Sequence, residues 1–129
     1  MSPRRSGILF FDGACGMCTR SVELVLRLNR MGNLRAEPLQ SPGAAERLGI
    51  SPSQLLDSVR WLDSSAVVYS GAEAMNAAVS SAIGSRLPLL LYRIPGMRFI
   101  QDAIYRWVST HRYRFPGTTP YCQSHPASC

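Results

Sequence analysis

Two cysteines three positions apart, Cys15 and Cys18, stand in the stretch FFDGACGMCTRS at residues 10 to 21. An apolar run ends at Asp12 just before them, and a segment with helical spacing begins just after. Thiols so placed exchange electrons with other thiols, bind a metal, or lie inert in a core. At the start of a helix the two side chains share the first turn. The first N–H groups of a helix have no partner within it, and the aligned peptide dipoles leave partial positive charge there. A thiolate is stabilised at that end, and the thiolate is the species that attacks a disulfide. The spacing makes Cys15 the expected nucleophile, as the more exposed sulfur. Cys18, one turn deeper, is then the thiol that resolves the mixed disulfide. Asp12 either caps the turn by accepting its N–H groups or serves Cys18 as a proton acceptor and tunes both thiols. Its negative charge works against thiolate formation nearby, opposing the helix.

Zinc is the rival chemistry. Cys122 and His125 make a Cys-x-x-His pair, Cys129 follows, and with Cys15 and Cys18 they offer enough ligands for a tetrahedral site. Against it, the second group lies in a proline-rich tail and the first enters a helix directly, whereas zinc ribbons set each pair on a tight turn. Cys122 and Cys129 are otherwise two exposed tail thiols, or one of them is an extra resolving cysteine that reaches the site if the tail folds back. On the redox reading no bound cofactor is needed and the partner is a thiol or disulfide substrate. The alternative is a non-catalytic thiol or zinc module that docks on a partner. His111, near a helix end, reads as a surface residue compatible with the dipole. Arg20 reads as solvated, with the option of holding a thiolate or an anionic substrate.

The elements that must position these groups follow from pattern. GILFF (7–11) is an apolar run of strand length, suited to burial on both faces. A helix is predicted from Gly16 to Arg30, with Arg20, Glu23, Arg27 and Arg30 on one solvated stripe and Val22, Val25 and Leu26 inward. Gly32 is its expected left-handed stop. LRAEPL (34–39) fits a second strand ending near Pro38. Ser41-Pro42 and Ser51-Pro52 each read as a helix start. SVRWLD (58–63) and AVVYS (66–70) are predicted to form an antiparallel hairpin. An alanine-rich helix follows at 71–84, then LPLLLYRI and a helix at 96–112, broken at Pro95 and Gly96. Met97, Ile100, Ile104, Trp107 and Val108 form one apolar face of that last helix. Trp107, Tyr105, Phe99 and the run LPLLLY are expected in the core. The first strand–helix–strand unit joins parallel strands.

With 129 residues and 46% hydrophobic composition, the chain is one globular domain. Residues 1–6 read as an arm, 7–115 as the domain and 116–129 as a tail. All 14 basic residues that set the net charge of +6 are arginines. They are scattered, and no basic block interleaves with aromatics, which argues against nucleic-acid binding. No secretion signal and no apolar run of membrane-spanning length is present, so a cytoplasmic protein is expected. In that compartment a paired CxxC is catalytic or metal-binding rather than a staple.

FFDGACGMC resembles the N-terminal signature of the DCC family, named for Asp-x-x-Cys-x-x-Cys, here Asp12, Cys15 and Cys18. LRAEPLQSP is similar to the family's second strand and the loop after it. VVYSGAEAM resembles its hairpin with a Gly-x-x-Ala helix start, here Gly71 and Ala74. IPGMRFIQDAIYRWVSTHRYRF is similar to its closing helix, with Tyr105, Arg112 and Tyr113, although His111 stands where the family often has Asn. Cys122 matches a later family cysteine, and the likeness runs from about residue 7 to 122. The resemblance implies a thioredoxin-like fold (β-α-β, then a hairpin and helix, with additional C-terminal helices) and thiol–disulfide oxidoreductase activity with a redox-active CxxC disulfide. It implies a chemistry, not a substrate. Thioredoxins themselves place a cis-proline before the third strand, facing the cysteines. This chain has Ser58 or Val59 there.

Overall fold

In the computed structural model, the described residues are 6–29, 32, 34–64, 66–85, 87–111 and 119–129. The apolar run Gly7–Phe11 forms β1, at the centre of the sheet. Its side chains alternate between the two faces and both are covered: Leu9, Phe10 and Phe11 are all at most 2% exposed. β2 (Leu34–Pro38) runs parallel to β1 on one side, with Phe11 opposite Pro38. β3 (Arg60–Asp63) runs antiparallel on the other, with Leu9 opposite Trp61. β4 (Val68–Ser70) completes the order β2-β1-β3-β4 as the expected hairpin partner of β3. The thioredoxin-like α/β architecture is therefore present.

Helix α1 (Gly16–Arg27) links the parallel strands and buries Thr19, Val22 and Val25. It ends before the predicted Arg30. Asn29 explains the stop: its side-chain amide donates to Leu34 O at 3.0 Å, and its oxygen accepts Leu34 N at 3.4 Å, so the chain is already being handed to β2. Leu26 faces solvent rather than the core, at 40% exposure. Arg30 lies outside the described residues, as do Arg112, Tyr113 and most of the predicted arm. The segment after β2 turns through Ser41 to Gly43, so α2 (Ala44–Leu48) starts two residues later than Ser41-Pro42 predicts. Ser51-Pro52 opens a 3-10 turn, Pro52–Asp57.

α3 (Gly71–Ile83) packs beside α1 on the face that holds Leu9, Phe11 and Trp61. Its buried positions are all Ala or Ser, small enough for close approach to the sheet. Phe10, Leu39, Ala44 and Leu48 make a second cluster on the opposite face. α4 (Leu87–Tyr92) and α5 (Met97–Thr110) overturn an expectation. Only Tyr92 of LPLLLY is buried, and Phe99, Ile100, Ile104 and Trp107 are exposed. Periodicity reports that a helix has an apolar face, not that a partner covers it. α6 (Tyr121–Ser124) and a 3-10 turn, Pro126–Ser128, close the chain. Among the described residues no helix is long and apolar enough to cross a membrane.

Candidate dithiol site at the start of the first helix

Strand β1 ends at Phe11, and the next four residues form a tight turn closed by Cys15 N donating to Asp12 O at 3.2 Å. Asp12 is 3% exposed. Its Oδ1 accepts Ala14 N at 3.0 Å, the Asx-type turn that the sequence reading had as one option. The same oxygen accepts Gln40 Nε2 at 2.7 Å, and Gln40 Oε1 accepts Gly13 N at 2.9 Å. Gln40 thus clamps the turn with both ends of its amide. Sequence reasoning missed it. The signal was topological: parallel strands β1 and β2 end side by side, so the residues after Pro38 must lie beside those after Phe11.

Cys15 is the N-cap of α1, with extended backbone angles, and its Sγ accepts Cys18 N at 3.2 Å. A sulfur takes the place usually filled by a Ser, Thr, Asp or Asn oxygen. Both residues stand as thiols. Their depth is the reverse of expectation: Cys15 is 0% exposed and Cys18 only partly buried. A segment far along the chain packs beside it. Thr19 Oγ1 donates to Cys15 O at 3.0 Å and accepts Tyr121 N at 3.1 Å. Cys122 N donates to Gly13 O at 2.9 Å, and the Tyr121 ring meets Phe11 edge-on at 5.4 Å. The C-terminal segment is seated directly on the turn that leads into Cys15. The seat requires glycine, since a Cβ at residue 13 would fall 2.6 Å from Cys122 Sγ and 2.9 Å from Pro38 Cβ.

Cys122 and Cys129 are bonded to each other. They are neither separate tail thiols nor zinc ligands. His125 instead stacks on Tyr121 at 4.2 Å between ring centres, with Nδ1 3.0 Å from Ser124 Oγ. Among the described residues no three His, Cys, Asp or Glu side chains gather to hold a metal ion. The alternative set of Cys15, Cys18, Cys122, His125 and Cys129 is therefore not assembled.

Cys18 opens on a cavity of about 190 Å³ whose walls include Phe11, Asp12, Val59, Met75 and Tyr105. Ser58 and Val59 line the same cavity as Cys18. Val59 has both backbone groups engaged: its N–H donates to Tyr105 Oη at 2.9 Å and its carbonyl accepts Gly71 N at 3.0 Å. Tyr105 is thus part of the cavity wall and not simply core. His111 stacks on Trp107 at 4.5 Å, with Nδ1 2.8 Å from Trp107 O, and Arg20 is exposed.

The uncharacterized protein YuxK of Bacillus subtilis (strain 168) is 24% identical over 117 residues, covering 89% of this chain and 84% of that protein. No solved structure matches the chain. The sequence pattern of the DCC1-like thiol-disulfide oxidoreductases matches residues 9–118, a span that holds Asp12, Cys15, Cys18 and Tyr105 and ends before Tyr121. On that match the chain belongs to the DCC1-like thiol-disulfide oxidoreductase family.

Proposed function

We propose that Cys15 and Cys18 act as a dithiol that exchanges with a disulfide substrate through a mixed disulfide, Cys15 attacking and Cys18 resolving. The observation that carries this is the bond from Cys18 N–H to Cys15 Sγ. It sets the Cys15 sulfur at the electropositive start of α1, within reach of an N–H donor. It also sets the second sulfur one turn on, where it can attack the first. Asp12 is a positioning residue: its carboxylate ties the turn to itself and to Gln40, and so fixes where Cys15 enters the helix. The apolar cavity beside Cys18 gives substrate atoms a place next to the resolving sulfur.

The test is oxidation of the fully reduced chain with limiting oxidised glutathione, followed by alkylation and peptide mass mapping. A Cys15–Cys18 disulfide is the expected product, lost in Cys15→Ser and in Cys18→Ser. If both thiols remain alkylatable while the oxidant persists, the proposal is wrong.

A further inference from the structure

We infer that the Cys122–Cys129 disulfide is a second redox centre, which relays electrons between the enclosed Cys15–Cys18 dithiol and external thiols or disulfides. The inference rests on the dithiol chemistry proposed above. Two observations lead to it. Cys15, the sulfur with the N–H donor, is 0% exposed, so an external disulfide reaches it only if the segments around it move. The disulfide the fold brings to that turn is the chain's own. Cys122 is bound through its N–H to Gly13 O, two residues before Cys15, and its sulfur lies against Gly13. Cys129, the other half of the bond, is exposed. One end of the second pair therefore lies against the turn that leads into Cys15 and the other faces solvent, the placement a relay requires.

The exchange balances without an added oxidant. Cys15 gives up its proton and attacks Cys122 Sγ, the Cys15–Cys122 bond forms as the Cys122–Cys129 bond breaks, and Cys129 leaves as a thiolate that takes a proton from water. Cys18 then gives up its proton and attacks Cys15 Sγ, and Cys122 leaves and is protonated in turn. Two electrons and two protons pass from the first pair to the second: Cys15–Cys18 is oxidised and Cys122 and Cys129 are reduced. The reverse sequence oxidises the tail and reduces the site. Gln40 Oε1 stands 3.9 Å from Cys122 Sγ. It is only a contact while that sulfur is bonded, and becomes an acceptor for the thiol once it is released. Because the same amide holds Asp12 and Gly13, the receiving sulfur and the turn that carries the attacking one share a support.

Two measurements test this. The Cys18→Ser/Cys129→Ser double variant keeps only Cys15 and Cys122. On mild oxidation it is expected to form a Cys15–Cys122 disulfide within one chain, at a rate that does not change on dilution. Finding both thiols alkylatable, or linked only between chains, overturns the relay. The wild-type chain gives a measure that does not depend on a variant folding. Prepared in either half-oxidised form, tail disulfide with reduced site or the converse, and held without oxygen, it is expected to reach one common mixture of the two. Two forms that each persist unchanged mean the tail disulfide is only a staple. The Cys122→Ser/Cys129→Ser variant separates the two ideas. If it still forms Cys15–Cys18 with oxidised glutathione while the relay tests fail, the dithiol reading stands and the relay alone is lost. If neither it nor the wild type forms that disulfide, the underlying reading is lost as well.

Discussion

Around Asp12, three stretches that are distant in sequence meet in contact: the turn at 12–15, Gln40 after β2, and Tyr121–Cys122 near the end of the chain. They are held by backbone and amide hydrogen bonds and by a spot where only a hydrogen fits, at Gly13. Along α4 and α5 the situation differs. No residue of α5 is buried. α5 is tied to the rest by separate polar tethers, Tyr105 to Val59 and Gln101 to Asn76, while α4 packs Leu89 against the core and Arg93, just after it, reaches Glu73 at 3.5 Å. The first region is a close-packed joint in which each contact depends on the others. The second is a set of independent attachments. Damage should therefore spread in the first and stay local in the second.

The largest effect is expected at the joint. Gly13→Ala puts a Cβ 2.6 Å from Cys122 Sγ and 2.9 Å from Pro38 Cβ. Neither neighbour is the loose end of a side chain, since Cys122 is held by its disulfide and by its backbone bond to Gly13 O. Overpacking of this kind costs about 1–3 kcal/mol, and unseating the C-terminal segment relieves it. The variant should lower the urea midpoint and, more tellingly, make Cys15 alkylate faster than in the wild type. An unchanged alkylation rate would show that the segment does not shield Cys15 and would erase the contrast between the two regions.

The same contrast explains what was legible in the sequence. β1, α1 and β2 follow from local pattern, and so does the position of the dithiol at the mouth of α1. A run of apolar residues and a charged stripe need no distant partner to be interpreted. The depth of Cys15 was not legible, because burial depends on segments distant in sequence, and beside it Thr19 is bonded to Tyr121, 102 positions away. Gln40 gave no pattern at all; one amide becomes a clamp only once two strands are known to be parallel. The error on LPLLLY and α5 has the opposite origin. There the local pattern is strong, but the tertiary partner that would bury Phe99, Ile104 and Trp107 is not supplied by the described residues.

A smaller effect is expected at the tether that reaches the dithiol cavity. Tyr105→Phe keeps the ring and removes the acceptor of Val59 N–H. A lost hydrogen bond of this sort costs about 1 kcal/mol. Amide exchange at Val59 should accelerate, while the alkylation rate of Cys15 stays as in the wild type. If Cys15 also became accessible, α5 would belong to the joint rather than standing apart from it.

An effect of the same size at neutral pH, but with the clearest pH signature, is expected at Tyr92. Its hydroxyl donates to Asp102 Oδ1 at 2.7 Å, and the residue is buried. Burial first, then the hydrogen bond and charge of Asp102, push its pKa up from 10.0 to about 12. A group whose folded pKa lies above its unfolded one contributes stability that is complete below the unfolded value and is lost as pH rises through the folded value. The stability carried by Tyr92 should therefore hold below pH 10 and vanish between pH 10 and about 12. The chain suits this measurement because it contains no lysine, the side chain that ordinarily titrates in that window. Urea midpoints taken across it should fall more steeply in the wild type than in Tyr92→Phe, which gives up about 1 kcal/mol at neutral pH and has no phenol to ionise. Subtracting the two curves cancels the other tyrosines and the thiols, so parallel curves would mean that Asp102 does not hold Tyr92 and that α4 and α5 are joined by something other than this tether.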